Sequence, residues 1–186
     1  MNKEILNKLK SLEDTDMTKF SVSRDTGNLL NILIKATNSK KVLEAGTFRG
    51  YSGVWIAEAL RQTGGHLTTV ENKTENYRLA NELFSELQLT DYITTLEGDA
   101  FEEMNKLDDT FDIVFIDGGR DYLEIFNLVN GKLLKENGLL AIDNAIGPKH
   151  VAEDVERVVQ KMDSTGNYQR VTINSGGGLL LSLKIR

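Results

Sequence analysis

Apolar residues recur along this chain in two different patterns. In the first 40 residues they are spaced three or four positions apart, as at Ile5, Leu9 and Leu12, which is typical of amphipathic helices. From residue 42 onward, short apolar runs alternate with longer amphipathic segments. The patterns therefore predict helices at 3–12 and 26–36, followed by alternating strands and helices.

The alternation predicts strands and helices over the rest of the chain. Strands are expected at 42–45, 66–71, 92–97, 111–116, 139–142, 168–173 and 179–185, and helices at 51–62, 73–88, 100–107, 121–135 and 149–163. Such alternation is typical of a parallel sheet that is covered by helices on both faces. The last two strands have no room for a crossover helix between them, so they are expected to pair as an antiparallel hairpin. The predicted fold is α/β, a doubly wound, Rossmann-like, seven-stranded sheet with five parallel strands and a C-terminal antiparallel hairpin.

Length and composition limit the kinds of site that this chain can build. Its 186 residues suit a single domain, in which residues 1–40 are expected to cover the ligand site and residues 41–186 to form the core. With no cysteine and only His66 and His150, thiol chemistry, disulfides and multi-histidine metal sites are excluded. No apolar run approaches the roughly 18 residues that span a bilayer, so we expect a cytoplasmic protein without a membrane segment.

Charge is distributed unevenly along the chain. The net charge is −6, yet residues 1–41 contain 8 Lys/Arg against 5 Asp/Glu, while residues 42–186 contain 14 against 23. This distribution shows no dominant nucleic-acid surface, although the basic N-terminal face leaves contact with an acidic partner open.

The turn after the first strand favours a ligand with an amino-acid group. In doubly wound sheets the ligand lies outside the carboxyl ends of the strands. Glycines occur at 46, 50 and 53, which is not the G-x-G-x-x-G spacing of dinucleotide-binding proteins, so an NAD-dependent oxidoreductase is disfavoured. Glu44 suits an ammonium group or an ordered water, and Ser52 at a helix N-terminus suits a carboxylate.

The next two strand ends extend this ligand. Glu71 ends the second strand, where an acid accepts the hydroxyls of a ribose. Asp99 follows the third strand, where it accepts from an adenine amino group or only caps the next helix. Together the three strand ends predict a pocket for an amino acid, a ribose and an adenine. The ligand that combines these three groups is S-adenosylmethionine.

Polar side chains also follow the fourth and fifth strands. Asp117 comes directly after FDIVFI, and Asp143 and Asn144 follow GLLAI. Two carboxylates and an amide form an all-oxygen set that suits Mg²⁺ or another hard divalent cation. The alternative is that Asp117 contacts the cofactor alone and that Asp143 or Asn144 caps the next helix.

These motifs resemble those of a known family, the cation-dependent class I S-adenosylmethionine O-methyltransferases of the catechol and caffeoyl-CoA type. The resemblance covers roughly residues 18–184 and rests on VLEAGTFRGYS, the acid of TTVE, the GDA of EGDAF, FDIVFIDGGRDY and GLLAIDNAI. It implies methyl transfer to a small catechol-like substrate, metal ligation by Asp117, Asp143 and Asn144, and assembly as a homodimer. It also implies cofactor contacts from Val22, Glu44, Gly46, Phe48, Ser52, Glu71, Asp99, Ala100 and Asp117.

One position departs from the family pattern. Family members commonly place a lysine three residues after the first metal aspartate, as the base for the hydroxyl proton, and this chain has Arg120 there. Arginine stays protonated, so it cannot act as the base. In a catalytic role beside Asp117, it stabilises a developing oxyanion or binds an acidic group of the substrate; otherwise it only pairs with Asp121 or Asp117.

Two further functions remain open from the sequence. Within the same family resemblance, the basic N-terminal segment together with Arg49, Arg120 and Lys149 keeps a hydroxylated tRNA nucleotide as an alternative substrate. The chain is otherwise a non-catalytic protein that binds S-adenosylmethionine and has lost its base at position 120.

Overall fold

The strands of the protein assemble into one mixed sheet. A computed structural model describes residues 2–13, 15, 21–118 and 121–185. Within these residues the strands are β1 (Lys41–Ala45), β2 (His66–Glu71), β3 (Ile93–Glu97), β4 (Phe111–Ile116), β5 (Leu134–Ile142), β6 (Tyr168–Ile173) and β7 (Leu179–Lys184). Their order is β3-β2-β1-β4-β5-β7-β6. The pairs from β3 to β5 are parallel, and β7 pairs antiparallel with both β5 and β6, which confirms the predicted five parallel strands and terminal hairpin.

The helices lie between the strands in the order that the sequence predicts. They are α1 (Lys3–Glu13), α2 (Arg24–Ala36), α3 (Tyr51–Thr63), α4 (Thr74–Glu86), α5 (Ala100–Asn105), α6 (Tyr122–Leu128) and α7 (Lys149–Thr165). Pro148 immediately precedes α7 with φ of −66°, as expected for a proline at a helix start. None of these helices is long and apolar enough to cross a bilayer.

The sheet separates two apolar clusters. On one face, α1 to α4 pack through residues such as Leu9, Ile34, Trp55 and Phe84. On the other face, α5 to α7 pack through residues such as Phe126. Helices α1 and α2 therefore share one core with the strands, because Leu9 and Ile34 belong to the same apolar cluster and α2 packs on α3.

Two elements differ from their predicted bounds by more than two residues. In place of the helix expected at 121–135, the α-helix α6 ends at Leu128 and is followed by a π-helical turn, Val129–Leu133. The strand expected at 139–142 begins earlier, at Leu134, because Leu134 pairs with Phe111 before the register shifts and regular pairing resumes at Leu139. The residues between the two pairings, 135–138, form this irregularity within the strand.

Candidate active site

The carboxyl ends of four parallel strands meet at one edge of the sheet. The backbone N–H of Gly46, after β1, donates to Val70 O on β2 over 3.0 Å. On the other side of β1, Asp117 N donates to Ala45 O over 2.9 Å, and Asp143 N, after β5, donates to Ile116 O over 2.9 Å. These bonds hold the residues that follow β1, β4 and β5 side by side.

Gly46 allows the β1 and β4 ends to approach closely. Its φ is +96°, and a Cβ atom built on it would lie 2.3 Å from Asp117 O. A side chain is therefore excluded there on both conformational and steric grounds. Two residues later, Phe48 also has a positive φ, of 48°, and its N–H donates to Glu71 Oε2 over 2.8 Å.

Glu44 is a fully buried carboxylate beneath this turn. Thr69 donates its hydroxyl to Glu44 Oε2 over 2.6 Å, whereas Oε1 has no hydrogen-bond partner among the described residues. Burial raises the pKa of Glu44 to about 7, against the lowering effect of hydrogen bonds from Ser52 and Thr69. An ammonium group would supply both the missing donor and the counter-charge.

Glu71 and Asp99 use their carboxylates to shape the backbone around a cavity. Glu71 accepts from Phe48 N and, through Oε1, from Lys73 N over 2.9 Å. Asp99 caps α5, because its Oδ1 accepts from Phe101 N and Glu102 N over 3.0 and 3.3 Å. The capping role predicted as one alternative for Asp99 is thus present, and the side chain also lines the cavity.

The cavity brings together six of the nine predicted cofactor residues. It is lined by Gly46, Phe48, Glu71, Asp99, Ala100 and Asp117. The other three, Val22, Glu44 and Ser52, are buried and do not line it, with Val22 only 5% exposed.

Sequence reasoning missed several other residues that line this cavity. They are Val70, Asn72, Lys73, Asn76, Gly98 and Gly118. All but Asn76 lie within two residues of a predicted strand end. Their closeness to the strand ends could therefore have identified them. Asn76 lies on α4 and only 7% of it is exposed, and no sequence pattern singled it out.

The predicted metal ligands also lie together. Asn144 donates from Nδ2 to Asp117 Oδ1 over 3.2 Å, and Asp143 is 4% exposed with no hydrogen-bond partner for Oδ1 among the described residues. Burial, followed by the charges of Asp143 and Glu44, raises the pKa of Asp117 well above its usual value, and burial raises that of Asp143 to about 6. Two carboxylates that repel each other and an unsatisfied oxygen fit a divalent cation.

The set contains two carboxylates and one amide. Across residues 2–13, 15, 21–118 and 121–185, there is no group of three or more His, Cys, Asp or Glu side chains that could hold a metal ion. Protein ligation at this site would thus depend on Asn144, with water or substrate completing the coordination.

Arg120, predicted to act in catalysis, lies outside the described residues. Its neighbour Asp121 caps α6, since its Oδ1 accepts from Leu123 N and Glu124 N over 3.0 and 3.1 Å. That Asp121 oxygen is therefore already engaged by the helix.

Comparison with known proteins identifies similar sequences over most of the chain. The sequence profile of a family described as O-methyltransferase matches residues 1–175. A catechol O-methyltransferase of Niastella koreensis is 30% identical over 149 residues, which is 77% of this chain and 66% of that protein. A relative from Mycobacterium sp. (strain JLS), whose name assigns it provisionally to the O-methyltransferases, is 33% identical over 132 residues. That match covers 70% of this chain and 60% of the relative, so the chain spans less than two thirds of both relatives.

Solved structures share the fold. The O-methyltransferase TomG from Streptomyces achromogenes, determined in complex with SAM (S-adenosylmethionine), superposes with a TM-score of 0.85 at 23% identity. The superposition covers 100% of this chain and 91% of TomG. The SAH-bound methyltransferase PaMTH1 of Podospora anserina gives a TM-score of 0.86 at 18% identity, over 99% of this chain and 88% of that one. SAH is S-adenosylhomocysteine, the demethylated form of SAM.

Proposed function

The chain belongs to the O-methyltransferase family, and we propose that it transfers a methyl group from SAM to an oxygen of a small, catechol-like substrate with the assistance of Mg²⁺. The observation that carries the proposal is the position of Asp117. It lines the cavity that also contains Glu71 and Asp99, and it is hydrogen-bonded to Asn144. A ligand in that cavity would lie beside the candidate cation site.

The cofactor would be bound by groups that are complementary to its parts. Glu44 Oε1 is buried, has no hydrogen-bond partner in the described part of the chain, and suits the ammonium of the methionine moiety. Glu71 already accepts from two backbone N–H groups, and the remaining lone pairs of its oxygens suit the ribose hydroxyls. Asp99 uses Oδ1 to cap α5, so Oδ2 is the atom that suits the adenine amino group.

Asp117, Asp143 and Asn144 would hold the cation. When bound, SAM supplies an electrophilic methyl group and the cation supplies a Lewis acid that lowers the pKa of a substrate hydroxyl. The protein's own contribution is to orient two vicinal oxygens of the substrate beside the cavity, at the ends of β4 and β5. It also keeps Asp143 away from water. The name of the Niastella koreensis relative supports catechols as the substrate class.

The proposal is tested by supplying the purified protein with methyl-labelled SAM and either catechol or phenol. Catechol has two vicinal hydroxyls and phenol has one, so only catechol can bind a cation through two oxygens. We expect labelled product from catechol with Mg²⁺, none after EDTA, recovery when Mg²⁺ is restored, and none from phenol. An exposed aspartate distant from these strand ends, Asp91, provides the control variant Asp91→Asn, which should retain full activity.

Three results would change the proposal in different ways. Full transfer in EDTA would overturn the role of the cation and leave methyl transfer in place. Binding of SAH without transfer to any vicinal diol would favour a non-catalytic SAM-binding protein. Label entering bulk tRNA in place of the diols would favour the tRNA alternative.

A further inference from the structure

The turn of the C-terminal hairpin lies between the candidate cation site and the start of α2. It comprises residues 174–178, with the sequence NSGGG, and we call it the glycine turn. Gly178 N donates to Ser175 O over 2.8 Å and closes the turn. Because β7 lies next to β5 in the sheet, the turn is brought to the edge where β5 ends.

On one side the glycine turn is hydrogen-bonded to the start of α2. Ser175 Oγ lies 2.7 Å from Ser23 Oγ and 3.1 Å from Thr26 Oγ1. Ser23 is the N-cap of α2, and Thr26 is fully buried. The turn is therefore held against a fixed point of the core.

On the other side, the carbonyl groups of the glycine turn hold the segment that follows Asn144. Gly178 O accepts from Ala145 N over 2.8 Å, and Gly177 O accepts from Ile146 N and Gly147 N over 2.8 and 3.2 Å. Three consecutive backbone N–H groups after the candidate ligand thus depend on two carbonyl groups of the turn.

The missing side chain of Gly177 leaves room for the Asn144 amide. A Cβ atom at position 177 would lie 2.4 Å from Asn144 Oδ1 and 2.9 Å from Gly147 O. Asn144 itself has a φ of +62°, in the left-handed region that asparagine adopts more readily than most residues with a side chain.

The orientation of this amide matters for cation binding. In the structure, Asn144 Nδ2 faces Asp117 and Asn144 Oδ1 faces Gly177. A cation beside Asp117 requires the oxygen, which a half-turn of the amide about its terminal torsion provides. The nitrogen would then face Gly177, where there is room for it only without a side chain.

We propose that the glycine turn positions Asn144 for cation binding, and that Gly177 leaves the space in which the amide turns its oxygen toward Asp117. The inference rests on the proposed cation-assisted function. Gly177 is a positioning residue in this account, because it acts through Asn144.

The test measures binding of Mn²⁺ alone to the full chain, by titration calorimetry, for the wild type and for Gly177→Ala. We expect Gly177→Ala to weaken Mn²⁺ binding by about tenfold or more, since residues that orient metal ligands have effects of this size. Binding of SAH should change by less than about twofold, because the cavity that contains Glu71 and Asp99 is not lined by the glycine turn. The matched control is Gly131→Ala, because among the described residues beyond its own helical turn no atom lies within 4 Å of an added Cβ, and it should leave both affinities unchanged.

A double-mutant cycle separates positioning of Asn144 from general damage to the fold. In an Asn144→Ala background the clash with Oδ1 disappears while the close contact with Gly147 O remains, so adding Gly177→Ala should weaken Mn²⁺ binding by less than it does in the wild type. Additive losses, or equal Mn²⁺ binding by the wild type and Gly177→Ala, would overturn the inference and leave the proposed function intact. No Mn²⁺ binding by the wild type would overturn the role of the cation and this inference together.

Discussion

The side-chain amide of Asn144 donates to Asp117 Oδ1 over 3.2 Å and so joins the end of β5 to the end of β4. The amide supplies a hydrogen-bond donor to a carboxylate whose pKa is raised by burial and by repulsion from the charges of Asp143 and Glu44. A site that suits a cation is therefore unfavourable for the protein without one.

Replacing Asp143 by asparagine should stabilise the cation-free protein. The change removes a buried negative charge next to Asp117 and keeps nearly the same volume. At about pH 8 in EDTA we expect the free energy of unfolding to rise by about 1 kcal/mol, which corresponds to an increase in Tm of about 2–4 °C. The same variant should lose the Tm increase that Mg²⁺ gives the wild type, because a charged ligand is missing.

Differential scanning calorimetry with and without Mg²⁺ checks both parts, with Asp91→Asn as the control at an exposed position. A lower Tm for Asp143→Asn in EDTA would show that repulsion is not a significant cost at this site. A retained response to Mg²⁺ would remove Asp143 from the ligand set.

Glu44→Gln should weaken binding of SAH and leave adenosine binding unchanged. Glu44 Oε1 is buried, lacks a hydrogen-bond partner among the residues that the structure describes, and is proposed to accept from the ammonium group, which adenosine lacks. A hydrogen bond between charged groups contributes about 1.5–3 kcal/mol, so its loss corresponds to a fall in affinity of about 10- to 100-fold. Titration calorimetry with the two ligands measures the difference, and an equal loss for both would place Glu44 outside the methionine subsite.

The raised pKa of Glu44 also predicts how stability depends on pH. Burial raises this pKa from 4.5 to about 7, so between these values the folded protein holds a proton that the unfolded chain releases. The contribution of Glu44 to stability is thus fully present below pH 4.5 and is lost as the pH rises toward 7. Without ligand, the Tm of Glu44→Gln minus that of the wild type should increase from about pH 5 to about pH 8. A constant difference would mean that Glu44 titrates normally.

Glu71→Gln should weaken binding of SAH and adenosine alike. The carboxylate accepts from both Phe48 N and Lys73 N, and a glutamine offers only one oxygen to the two donors. The turn at Phe48 loses support and the proposed ribose contact changes, so we expect both affinities to fall by about tenfold. Glu86→Gln, at an exposed glutamate, is the control. A loss confined to SAH would contradict the assignment to the ribose.

Much of this site could be predicted from the sequence because strand ends are encoded locally. A buried run such as FDIVFI fixes where Asp117 falls, and parallel pairing brings it beside the residues that follow β1 and β5. The contact between Gly177 and Asn144 could not be predicted in the same way. It depends on β7 lying between β5 and β6, and no local pattern encodes the order of strands in a hairpin relative to the rest of the sheet.

Gly27→Ala should destabilise the packing of α2 on α3. A Cβ atom at position 27 would lie 2.5 Å from Trp55 Cδ1, and Trp55 is 2% exposed, so neither helix can yield easily. Overpacking of this kind lowers the free energy of unfolding by about 1–3 kcal/mol. Urea denaturation measures the loss against Gly131→Ala, where an added methyl group meets open space. An unchanged midpoint would indicate that the two helices separate without cost.

Tyr51→Phe should destabilise the junction of α1, α2 and α3 in a way that depends on pH. Tyr51 donates its hydroxyl to Glu13 Oε1 over 2.5 Å, and Arg24 donates to Glu13 Oε2 over 2.7 Å. Although burial alone would raise the pKa of Glu13, the hydrogen bonds from Arg24 and Tyr51 hold it below its usual 4.5. The stability that comes from ionised Glu13 is therefore present above pH 4.5 and is lost as the pH falls through its lowered pKa.

At about pH 7 the variant should lose about 1.5–3 kcal/mol, the usual contribution of a hydrogen bond to a charged group. At a pH below the lowered pKa of Glu13, protonation weakens this carboxylate as an acceptor, so the wild type and the variant should become closer in stability. Urea denaturation at the two pH values gives the comparison. An equal loss at both would show that the tyrosine hydroxyl stabilises the junction independently of the charge on Glu13.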